Sequence, residues 1–91
     1  MHIILKQAKG DMKANIPIEV AGYHFRKTYG CDVFSYPNGR KFGFYVPADK
    51  INSRPEYTLP NVDKYLVRDT HEDIVEVLAC EATIVRRVVS A

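Results

Sequence analysis

Pro37-Asn38-Gly39-Arg40 lies between two aromatic runs, Cys31-Asp32-Val33-Phe34-Ser35-Tyr36 and Lys41-Phe42-Gly43-Phe44-Tyr45-Val46. Asn and Gly both tolerate positive φ, and Asn-Gly between such runs is the strongest short-range hairpin signal. A hairpin over residues 31–46 is therefore expected, closed by Pro47. This commits the middle of the chain to antiparallel sheet.

The flanking segments read the same way. His2-Ile3-Ile4-Leu5-Lys6 is a β-branched run that predicts a strand, and Lys9-Gly10-Asp11 predicts the turn after it. From Asn15 to Thr28, Ile16, Ile18 and Val20 share one parity. After Gly22, Tyr23, Phe25 and Lys27 share the other. Glycine inside a strand pattern marks a bulge, so two strand segments joined near Ala21-Gly22 are expected. Pro17 cannot donate to a ladder, which puts it at an edge or a strand start. Residues 47–63, with Pro55 and Pro60, read as a long loop, and Lys64–Arg68 as a further strand.

The last third carries helix signals. Thr70 can cap, Glu72 and Asp73 suit the first turn, and Ile74, Val77, Leu78 and Ala82 fall at helical spacing. A helix over about 70–81 is expected. Thr83–Val89 is β-branched and predicts a final strand over 83–89, with a continued helix to Val89 as the alternative. The expected fold is a single α+β domain over 1–91: a mostly antiparallel sheet of five to six strands with one helix packed on one face.

Composition narrows the function classes. Hydrophobic residues are 46% and charged residues 26%, an ordinary globular mix. The longest apolar run is Val77-Leu78-Ala79-Cys80, far short of a membrane-spanning helix of about 20 residues. No apolar stretch at the N-terminus resembles an export signal. Cys31 and Cys80 are expected as reduced, partly buried thiols, which with the missing signal predicts a cytoplasmic protein without membrane contact.

Recognisable chemistry is sparse. His2, His24, Cys31, His71 and Cys80 show no metal-ligand spacing, so no metal is expected. A Cys/His pair could be drawn from Cys31 or Cys80 with His24 or His71, but no local signature surrounds either cysteine. Neither GxGxxG nor GxxxxGK[ST] occurs among the five glycines. The expectation is a non-catalytic protein without a cofactor.

The net charge of +2 hides an asymmetry. Residues 1–50 hold eight lysines and arginines against four acids, whereas residues 51–91 hold five against seven. Eight of the ten aromatics lie between Tyr23 and Tyr45. A basic, aromatic stretch suits an anionic or polar-aromatic contact face. The expected contact residues are Tyr23, Phe25, Arg26, Lys27, Tyr36, Arg40, Lys41, Phe42, Phe44 and Tyr45. The competing assignment puts Phe34, Phe42 and Phe44 in the core, against Ile74, Leu78 and Ala82. Six tyrosines are too many to bury with every hydroxyl satisfied.

Arg40-Lys41-Phe42-Gly43-Phe44-Tyr45-Val46 resembles the RNP1 strand of RNA-recognition motifs and cold-shock domains. Phe42 and Phe44 would point to one face at period two, with Arg40 and Lys41 placed for phosphates. Lys41 stands where that strand has its first glycine, and Tyr45 where it has an aliphatic residue. The resemblance implies single-stranded nucleic-acid binding. The leading expectation is a protein-binding adaptor or inhibitor that docks on a larger macromolecular partner, as stand-alone domains from phage and mobile elements do by analogy. Nucleic-acid binding is the alternative, disfavoured by the modest charge. Homodimerisation through the last strand, an edge guarded by Arg86 and Arg87, is also allowed.

Overall fold

The computed structural model describes residues 1–27, 35, 39–40 and 43–85. Among these residues, six strands form one antiparallel sheet: β1 (His2–Leu5), β2 (Pro17–Phe25), β3 (Tyr45–Pro47), β4 (Val62–Arg68), β5 (Ile74–Leu78) and β6 (Ala82–Val85). The order is β5-β4-β2-β1-β6, with β3 paired to β2.

β2 organises the fold. Its first residues pair with β1, Ile18 opposite Ile3. Its last residues lie between β4 and β3, with Tyr23 opposite both Tyr65 and Val46. The register against β4 shifts between Val20 and Gly22. One extra residue there reverses which parity faces inward. Hence Ile18 and Val20 face the core before the bulge, and Tyr23 and Phe25 after it. Pro17 begins the strand, where its missing N–H costs nothing.

Both halves of β2 close on one core. Ile3, Leu5 and Ala82 from the β1–β6 side cluster with Tyr23, Phe25, Tyr65, Val67 and Val77 from the β3–β4–β5 side. Tyr57, from the long loop, stacks on Phe25 at 4.9 Å between ring centroids. The loop is more ordered than expected, with short 3₁₀ turns at Ala48–Lys50 and Leu59–Asn61.

The expected helix over 70–81 does not form. Among the described residues, helical structure is confined to three 3₁₀ turns, the third at Ala79–Glu81. Residues 69–73 make a tight turn instead. The Asp69 carboxylate accepts from the backbone N–H groups of His71 and Asp73, and Glu72 adopts φ +65°. Those polar residues read as a helix start because side-chain acceptors serve turns and caps alike. Ile74-Val75-Glu76-Val77-Leu78 then pairs with β4, Leu66 opposite Glu76. Its three β-branched residues suit a pleated surface better than a helix, and alternation sends Val75 and Val77 to the core.

The 31–46 hairpin lies mostly outside the described residues. Gly39 adopts φ +85°, a region that glycine enters without steric cost. β3 is shorter than expected and pairs with β2. The last strand begins at Ala82 and pairs with β1. Residues 86–89 lie outside the description, as do Cys31 and Phe34. Cys80 is exposed, not partly buried. No helix among the described residues is long and apolar enough to cross a membrane.

Candidate functional site

The outer face of the sheet carries a polar network. Register aligns Tyr45, His24, Lys64 and Leu78 in one row across β3, β2, β4 and β5. The next row runs Pro47, Gly22, Leu66 and Glu76. Gly22 contributes no side chain to that row, which leaves the face open for the Tyr45 ring to pack with Leu66. The Tyr45 hydroxyl donates to Glu76 Oε2, and Lys64 Nζ reaches the same oxygen at 3.3 Å. The His24 ring lies tilted against Tyr45, 5.1 Å between centroids, with its Nδ1 3.5 Å from Asp63 Oδ2. That Nδ1 is buried and has no aligned hydrogen bond.

Electrostatics follow from these contacts. The Tyr45 hydrogen bond holds the Glu76 carboxyl below its ordinary value, burial opposes this, and Lys64 adds to it. Burial, and then the Glu76 anion, push the Tyr45 hydroxyl well above the ordinary tyrosine range. Tyr45 is thus a neutral donor to an ionised acceptor, not a base. Among the described residues, no three His, Cys, Asp or Glu side chains gather to hold a metal. Cys80 lines a hollow of about 300 Å³ formed by residues 5–9 and 80–81, which contains no histidine to activate its thiol.

The expected contact residues separate into three groups. Tyr23, Phe25 and Tyr45 are buried. The first two belong to the core, and Tyr45 belongs to the outer-face network. Arg26, Lys27, Arg40 and Phe44 are exposed, Phe44 at 59%. Tyr36, Lys41 and Phe42 lie outside the described residues.

His24 pairs with Tyr45 in register, so the chain leaving β2 and the chain arriving at β3 lie side by side. Arg26, Lys27 and Phe44 therefore share one end of the sheet. The Arg26 N–H donates to the Asn61 carbonyl, which ties this end to the 3₁₀ turn before β4.

The sequence reading missed the Glu76–Tyr45–Lys64 network because Glu76 was placed on a helix. It missed the His24–Asp63 approach because nothing in the local sequence marks it; only the β2–β4 register brings the two together. No family model, curated protein or solved structure matches this chain.

Proposed function

We propose that the protein is a non-catalytic binding module that docks on a larger macromolecular partner through the end of the sheet bearing Arg26, Lys27 and Phe44. The observation that supports this is Phe44. A phenylalanine exposed at 59%, at the same end of the sheet as two exposed cations, matches the aromatic and arginine-rich make-up of protein interfaces. Tyr23 and Phe25 serve it indirectly by fixing the end of β2 in the core.

The test compares wild type with the Arg26→Ala/Lys27→Ala/Phe44→Ala variant in quantitative affinity capture from the source cells. A protein recovered by wild type and lost by the variant supports the reading. Equal recovery overturns it. Single-stranded nucleic acid is the second reading, supported by the same cations. It requires a shift of mixed-sequence oligonucleotides at low salt, with affinity falling steeply as salt rises.

A further inference from the structure

A second hollow lies at the opposite end of β2. β2 and β4 are antiparallel, with Val20 opposite Val67 and Phe25 opposite Val62, so the start of β2 adjoins Arg68 at the end of β4. The hollow measures about 240 Å³. Met12, Ile16 and Ile18 give it an apolar lining, with Met12 buried beneath and Ile16 half-exposed at the rim.

Its rim carries Lys13, Arg68, Asp11, Asp69 and Thr70. The two carboxylates already have donors. Asp11 accepts from the Thr70 hydroxyl and faces His71 Nε2 at 3.4 Å, and Asp69 accepts from two backbone N–H groups. The cations are not matched in the same way. Arg68 spends one N–H on the Glu72 carbonyl at 3.2 Å, and neither Lys13 nor Arg68 has a carboxylate partner among the described residues. The site therefore offers room for one aliphatic side chain beside two cations with free donors.

We propose that this hollow binds the C-terminal residue of a partner peptide ending in leucine, isoleucine or valine. The aliphatic side chain enters against Met12, Ile16 and Ile18, and the terminal carboxylate meets Arg68 and Lys13. A guanidinium can grip both carboxylate oxygens at once, which a lysine cannot. At about 240 Å³ the hollow is too small for a long acyl chain, which favours a peptide end over a fatty acid. This surface is separate from the Arg26–Phe44 end, and the inference does not rest on that reading.

Methyl-detected NMR titration tests it with acetyl-Ala-Ala-Leu as probe. The free-acid peptide should shift the Met12, Ile16 and Ile18 methyls saturably. The same peptide with a C-terminal amide should bind about tenfold more weakly, as should hexanoate. Arg68→Gln should remove the preference for acid over amide, and Lys13→Gln, on an exposed turn, should reduce it without touching the fold. Equal binding of acid and amide overturns the proposal. So do equal binding of hexanoate and peptide, methyl shifts centred elsewhere, and unchanged preference in both variants.

Discussion

The Tyr45 hydroxyl on β3 donates to the Glu76 carboxylate on β5, reaching over the two strands between them. This bond and the Lys64 contact link both flanks of the sheet on the face away from the core. Glu76 is half-exposed, which limits what its charge contributes. Tyr45→Phe keeps the ring on Leu66 and removes only the donor. It should cost about 1 kcal/mol at neutral pH, the usual scale of such a bond.

The same pair sets an acid dependence. Glu76 has a folded-state pKa below its ordinary 4.5. A depressed carboxylate contributes stability above its unfolded value and loses it as pH falls through the folded value. Wild type should therefore weaken below 4.5, and Tyr45→Phe should weaken less over that window. Urea midpoints across the acid range measure both. Parallel curves for the two proteins would show that the bond does not form.

Alkaline behaviour depends on buried tyrosines. Burial, and then Tyr65, push Tyr23 up to about 12, and burial raises Tyr65 as well. A raised folded-state pKa favours the neutral hydroxyl. Its contribution is complete below the ordinary 10.0 and is lost as pH rises through about 12. Tyr23→Phe loses only a 3.6 Å contact to Met1 Sδ and should keep more of its stability over that window. Phenolate absorbance followed together with circular dichroism reads it. In wild type the late phenolates should appear together with loss of structure.

The turn at Asp69–Asp73 makes the most local prediction. Glu72 sits at φ +65°, a conformation that costs a non-glycine residue roughly 1 kcal/mol. Arg68 binds its carbonyl, not its side chain. Glu72→Gly should therefore be neutral or stabilising, and Glu72→Val should destabilise by more than 1 kcal/mol, roughly, because branching worsens the same strain. Asp69→Ala removes the acceptor for two backbone N–H groups and should cost about 1 kcal/mol. Thermal midpoints of the three variants check these signs.

How much of this was legible depended on whether the signal was local. The bulge at Ala21-Gly22 was readable because the apolar parity reverses there, and the sheet must reverse with it. β1, β4 and the Gly10 turn were readable for similar reasons. β5 was misread because Ile74, Val77 and Leu78 satisfy the helical period. Val75 and Val77, which satisfy the strand period, were outweighed by a turn that resembles a cap. The outer-face network needed tertiary knowledge, since Tyr45 and Glu76 are brought together only through β2 and β4. Composition drew attention to Tyr23–Tyr45, but it could not say which aromatics face inward.

Phe25 and Phe44 resolve that last question by experiment. Both belong to the aromatic stretch, and both were expected on one contact face. Phe25 is 4% exposed and stacks on Tyr57, while Phe44 is 59% exposed just before β3. Phe25→Ala should cost roughly 3–5 kcal/mol through lost burial and a cavity. Phe44→Ser should change stability by less than about 0.5 kcal/mol, as surface substitutions do. Denaturant unfolding of the two variants decides between core and contact roles. If Phe44→Ser destabilises the protein as Phe25→Ala does, Phe44 is a packing residue and the binding end loses its anchor. If only Phe25 matters to stability, the exposed ring is free to be spent on a partner, and Arg26 and Lys27 supply the charge around it.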